Sequence, residues 1–233
     1  MIDLAIPNIC TPQIVKDADY SDSPFVAVKN HKNIIVDMQY PKLGMENAVA
    51  SCLVRKEVYN MILKASAELP RGYYIKIWDG WRPFVLQEEI YNKYYSNIVK
   101  TFELEEKSEE ERTSLIKQYV SLPKINEYVY PVHVSGGAID VTLADGSGND
   151  ICMGTKFDEM TLQAQTDYFE SAKDEDLIKS NRRMLYTVMK NAGFTNLPTE
   201  WWHYDYGDRF WAFYKQKPMI YRPIYKREDV HVE

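Results

Sequence analysis

The chain has 233 residues, 45% of them hydrophobic, with 28 basic against 34 acidic side chains and a formal net charge of −6. That length and apolar content suit one domain of the larger kind, and the acidic balance argues against nucleic acid as a partner. No segment approaches the ~20 apolar residues of a membrane span, and Met1 to Cys10 lacks the basic-then-apolar order of a secretory leader, so a cytoplasmic protein is expected.

Residues 1–45 show no long periodic pattern and are punctuated by Pro7, Pro12, Pro24 and Pro41; Phe25–Val28 and Ile34–Val36 are candidate strands. A helix is predicted over 47–68, where Val54, Val58, Met61, Ile62, Ala65 and Leu69 share a face, with Pro70 and Gly72 as its stop. Tyr73–Trp78 is a β-rich run ending at the turn signal Asp79-Gly80, and Pro83 suits the first turn of a helix over 83–100. The charged stretch Glu103–Arg112 leads into a further predicted helix over 108–121, stopped by Leu122-Pro123.

Val132–His133 and Ala138–Leu143 read as strand pieces around a Ser-Gly-Gly turn, followed by a flexible connection over 145–150. The long, weakly patterned segment 151–178 is of a kind that often carries function inside a compact domain. A helix over 179–192 ends at Gly193, and Phe194–Asn196 and Trp201–Tyr206 read as paired strands before a polar tail beyond Pro218. With no internal repeat and no linker, the whole chain, 1–233, is expected to form one α+β domain. Cys10, Cys52 and Cys152 are odd in number and widely spaced, which indicates neither a disulfide framework nor a thiolate metal site. Most of the 18 tyrosines are expected in the core, with a minority lining a polar pocket.

Three short segments carry candidate chemistry. His133 and Asp140 flank Gly136 and Gly137, which let the backbone bend sharply enough to bring both side chains to one point. Asp140 lies in an apolar run, where a buried carboxylate needs a compensating charge or metal; the plain alternative is a strand whose polar face includes Asp140 and Thr142. Glu200-Trp201-Trp202-His203 adds a second imidazole and a second carboxylate. In a regular strand Glu200 and His203 would point to opposite faces, so a shared site needs Glu200 on the bend that enters the strand. Two His and one Asp can hold zinc and leave a fourth position for water, the pattern of a catalytic site. The other histidines, His31 and His231, lie in polar surroundings and compete poorly as ligands. The third segment, Trp78-Asp79-Gly80-Trp81-Arg82-Pro83, presents Arg82 beside a helix start, either to bind an oxyanion or to pair with Asp79.

Asp79-Gly80-Trp81-Arg82-Pro83, the run from His133 through Gly136 and Ala138 to Asp140, and Glu200-Trp201-Trp202-His203 together resemble the zinc D-alanyl-D-alanine dipeptidase family. Asp37–Tyr40, Met153–Asp158 and Asn181–Arg183 add weaker likenesses, so the resemblance spans roughly residues 34–206. It implies an α+β fold with a small antiparallel sheet flanked by helices, similar to the hedgehog and D-Ala-D-Ala peptidase folds, and a narrow site suited to a dipeptide. It also implies one zinc ion per chain on His133, Asp140 and His203, Glu200 as the acid/base, and Arg82 as support for the tetrahedral intermediate. Tyr40 and Ser135 are the candidate substrate-binding residues.

The segment Pro131-Val132-His133-Val134-Ser135-Gly136 departs from the family, which often has a serine before the histidine and an arginine after it. The resemblance therefore leaves open what holds the substrate's amino end. The implied reaction is hydrolysis of D-Ala-D-Ala or a related dipeptide. The alternatives are a zinc D,D- or L,D-carboxypeptidase acting on peptidoglycan peptides, and a non-catalytic zinc-binding module; retention of Glu200 and Arg82 weighs against the latter.

Overall fold

The computed structural model describes residues 4–101, 103–116, 122–126, 128–159 and 161–233. In chain order the elements are β1 (Phe25–Val28), β2 (Ile34–Val36), α1 (Gln39–Lys42), β3 (Cys52–Arg55), α2 (Lys56–Glu68), β4 (Tyr74–Asp79), α3 (Phe84–Thr101), α4 (Glu109–Ile116), β5 (Ala138–Ala144), α5 (Asp176–Ala192), β6 (Thr195–Asn196), β7 (His203–Asp205) and α6 (Arg209–Lys215). The main sheet has the spatial order β2-β4-β5-β7-β6, and β1 and β3 form a separate antiparallel ribbon. The α+β expectation holds. The sheet is mixed, however: β2 and β4 run parallel and the other pairs antiparallel.

Strand alternation gives the main sheet two unlike faces. Ile75, Ile77, Ile139, Val141 and Leu143 are buried in one core with Val58, Ile62 and Ala65 of α2 and Leu185, Val188 and Met189 of α5. Each such aliphatic side chain contributes about 1.5–3 kcal/mol when fully buried. The opposite face carries Lys76, Asp140, Thr142 and His203. A bulge in β4 places Asp79, rather than Trp78, across from Asp140, an example of a bulge aiming a side chain.

Several boundaries differ from the sequence expectation. The helix predicted over 47–68 is a strand followed directly by a helix, because Cys52 and Leu53 are buried and β3 pairs with β1 before Lys56 starts α2. Val132 and His133 belong to a 3₁₀ turn, Val132–Ser135, and not to a strand; Gly136 closes the turn in the left-handed region at φ 73°. α4 is described to Ile116, and the predicted continuation over 117–121 lies outside the described residues. Trp201 and Trp202 form a turn ahead of β7. α6 was not anticipated. The polar tail nevertheless buries Met219, Tyr221 and Val230, and its Val232 bridges Phe25. Among the described residues no helix is long and apolar enough to cross a membrane.

Candidate metal centre

β5 and β7 pair so that Asp140 lies directly across from His203, which sets their Cβ atoms roughly 4.5–5.5 Å apart. The 3₁₀ turn brings His133 over the same point. The result is a buried trio: His203 Nδ1 lies 3.0 Å from Asp140 Oδ1 and 3.2 Å from His133 Nε2, and His133 Nε2 lies 3.5 Å from Asp140 Oδ1. A tetrahedral ion with donors at ~2.0–2.1 Å has donor–donor edges of about 3.3–3.4 Å. The three separations bracket that figure, and the chemistry of two nitrogens and one carboxylate oxygen fits zinc.

The far nitrogen of each imidazole is committed. His133 Nδ1 donates to the Gly80 carbonyl at 2.8 Å, and His203 Nε2 donates to Asp205 Oδ1 at 2.8 Å. These bonds fix the tautomers that turn a lone pair toward the trio. Asp205 meets Asp208, whose carboxyl burial and the Asp205 charge push well above the ordinary range; among the described residues the Oδ2 atoms of both are buried without a hydrogen-bond partner. Asp208 also caps α6, accepting from the backbone N–H groups of Phe210 and Trp211. Burial alone would lower the pKa of His203, but the Asp205 and Asp140 carboxylates outweigh it and raise it well above the usual imidazole value. Burial alone would raise the pKa of Asp140, but His133 and His203 hold it far below the usual carboxylate range.

Glu200 lies on the bend before β7, as a shared site with His203 requires. Its carbonyl accepts from the His203 N–H at 3.2 Å and from Asn196 Nδ2 at 3.2 Å. Its carboxylate is 4.0 Å from His203 Nδ1, and burial lifts its pKa to about 8.

Arg82 forms the pair with Asp79 that was one of the two readings of it. Nε donates to Asp79 at 2.8 Å, Nη1 to Gln87 at 3.1 Å and Nη2 to Asp140 at 3.3 Å, while its face covers the Tyr40 ring at 4.9 Å. Three of the five guanidinium N–H groups are thereby committed, and the side chain still lines the cavity.

That cavity, about 40 Å³, is bounded by His133, Asp140, His203, Glu200, Arg82, Tyr40, Gln87 and Asp158, with Ile90, Pro131, Val132, Leu197 and Phe210 as its apolar walls. Ser135 is not among them: it is fully buried, its hydroxyl donating to the Val132 carbonyl and accepting from the Gly137 N–H, so it shapes the turn. His31 and His231 are exposed, away from the trio.

The residue to which sequence reasoning gave no role is Asp158, the last of the Met153–Asp158 likeness. Its Oδ2 accepts from Tyr40 at 2.8 Å and Tyr94 at 3.0 Å. Burial and the Asp140 charge push its pKa up to about 6, with Arg82 and the two phenols acting against them. Its φ of 55° is left-handed, a conformation that is uncommon outside glycine and that Asp tolerates better than most. Asp205 was legible in principle, since residues i and i+2 of a strand share a face and it stands two places after His203.

Residues 42–222 match the family model described as D-ala-D-ala dipeptidase. The D-alanyl-D-alanine dipeptidase of Synechocystis sp. is 28% identical over 172 residues, covering 68% of this chain and 70% of the relative. The Enterococcus faecium D-alanyl-D-alanine dipeptidase is 30% identical over 162 residues, covering 64% and 70% respectively. Among solved structures, the vancomycin-resistance D,D-pentapeptidase VanY in complex with Zn(II) aligns with a TM-score of 0.42 at 15% identity, over 75% of this chain and 85% of that one.

Proposed function

Because the chain belongs to the D-Ala-D-Ala dipeptidase family of metallopeptidases, we propose that it hydrolyses D-alanyl-D-alanine or a closely related dipeptide at one zinc ion held by His133, Asp140 and His203. The observation that carries this reading is the convergence of those three donor atoms in a cavity that also holds Glu200 and Arg82. Zinc bound there would supply Lewis acidity, polarising the scissile carbonyl and lowering the pKa of water towards neutrality.

The chain's own residues do the rest. Glu200 accepts the proton of the attacking water and passes it to the departing amine. Its position on the bend puts the carboxylate beside the donor trio without making it one of the ligands. The two uncommitted N–H groups of Arg82 stabilise charge on the carbonyl oxygen. Asp79, Gln87 and Asp140 hold the guanidinium plane, so little reorganisation is needed when that charge develops. Asp158, oriented by Tyr40 and Tyr94, pairs with the free amino group of the substrate. Tyr40 thus acts through Asp158 as well as by packing on Arg82.

The test is to load the protein with zinc, supply D-Ala-D-Ala, L-Ala-L-Ala, the mixed dipeptides and a pentapeptide ending in D-Ala-D-Ala, and measure free alanine. Release from D-Ala-D-Ala with little from the pentapeptide is expected. Preferred cleavage of the pentapeptide would establish a carboxypeptidase instead, and no release from any substrate would leave only zinc binding.

A further inference from the structure

The loop that brings Asp158 into the cavity belongs to a long connection between β5 and α5, and three consecutive side chains of α5 hold it. Asn181 Nδ2 donates to the Cys152 carbonyl at 2.9 Å. Arg183 pairs with Glu170, which also accepts the Ile6 N–H. Arg182, between them, is 2% exposed and donates to three carbonyls: Met153 through Nε at 2.8 Å, Gln165 through Nη1 at 2.6 Å and Gln163 through Nη2 at 2.7 Å. Among the described residues no carboxylate pairs with it. Its planar face rests on Phe169 at 4.7 Å and Trp201 at 5.5 Å. Burial lowers its pKa to about 9, so the charge persists at neutral pH.

A buried cation without an anion is costly, and here its three donor atoms are spent on backbone from both ends of one loop. Met153 stands five residues before Asp158; Gln163 and Gln165 stand five and seven after it. The same guanidinium backs Trp201, whose indole donates to Thr155 Oγ1 at 2.7 Å and whose chain neighbour is Glu200.

We propose that Arg182 is a positioning residue: it clamps the two ends of the Met153–Gln165 loop and the Trp201 ring into one unit, so that Asp158 and Glu200 keep their places relative to each other and to the donor trio. This rests on the roles given above to Asp158 and Glu200. The planar fork is required because the three carbonyls are met by three separate nitrogens in one plane, whereas the N–H groups of a lysine all radiate from one nitrogen.

Arg182→Lys tests it in the zinc-loaded, full-length chain. The variant is expected to keep one zinc per chain, to raise KM for D-Ala-D-Ala at least tenfold with a smaller fall in kcat, and to speed amide hydrogen exchange within 153–165 while sheet amides keep their protection. A general structural role would lower the melting temperature and leave KM and loop exchange as in the parent; that result overturns the proposal. If Arg182→Lys does not fold, Thr155→Val, which cuts only the tie between loop and indole, is expected to raise KM a few-fold, and an unchanged KM overturns it equally. A parent protein that releases no alanine would refute the dipeptidase reading, and exchange within 153–165 of Arg182→Lys would then decide the clamp alone.

Discussion

At the scale of single residues, the centre separates groups that would touch a metal from groups that hold those groups. Glu200→Gln removes the proton carrier and leaves the donor trio intact. Its kcat is expected to fall about 10²–10⁴-fold with zinc content unchanged by metal analysis; full turnover in the folded variant would exclude Glu200 from the reaction. Asp205 touches no substrate in this reading, yet it accepts from His203 Nε2 at 2.8 Å and is fully buried. Asp205→Asn keeps the volume but weakens the acceptor that fixes the tautomer. A loss of about 10–100-fold in zinc affinity is expected, measured by competition with a chelator, and unchanged affinity would make Asp205 only a packing group. The trio itself was legible from the sequence because so few histidines compete and because Asp140 sits in an apolar strand. Asp158 was not, since its significance lies in two phenols delivered by α1 and α3, a convergence no local pattern encodes.

At the scale of elements, the centre depends on how β5 meets its neighbours. Gly137 precedes β5, and a Cβ there would lie 2.2 Å from the Tyr206 carbonyl oxygen, a backbone atom just beyond β7. Backbone cannot yield as a flexible side-chain tip does, so Gly137→Ala must shift β7 against β5 and draw His203 away from Asp140. A loss of about 1–3 kcal/mol is expected, together with weaker zinc binding; a variant with parental melting temperature and affinity would show that the pairing tolerates the methyl. The sequence revealed β4 and β5 as β-rich apolar runs, which are buried on both faces, and α3 and α5 through their end signals, Pro83 before the one and Gly193 after the other. It failed at β3, where four buried residues run straight into α2 without a loop, so strand and helix share one apolar pattern. It failed also at α6, although Asp208 before Phe210-Trp211 is an N-cap signal. The bulge in β4 was invisible, since an extra residue in a strand announces itself only through its partner's register.

At the scale of the whole molecule, the donors come from two distant parts of the chain, the turn-and-strand segment 133–140 and His203 of β7, and an ion that binds them together binds the folded state alone. Such binding stabilises by about 2.7 kcal/mol when free metal is one hundred times its dissociation constant. For a chain of this size that is a rise of roughly 5–10 °C in melting temperature. The effect depends on pH in a definite direction. In the metal-free protein the pKa of His203 is raised above its unfolded value despite burial, because Asp205 and Asp140 favour the imidazolium. That proton stabilises the metal-free fold below the unfolded pKa of about 6.5, and the benefit disappears as pH rises through the folded pKa. Zinc must displace the same proton to reach Nδ1. Raising the pH therefore weakens the metal-free fold and strengthens metal binding at once, so the gap between zinc-loaded and chelator-treated melting temperatures should widen from pH 6 to pH 8. Calorimetric or fluorescence melts at fixed free zinc measure it directly. A gap that stays constant or narrows would mean that no proton leaves when the ion binds, and that His203 is not the ligand its place between Asp140 and Asp205 makes it.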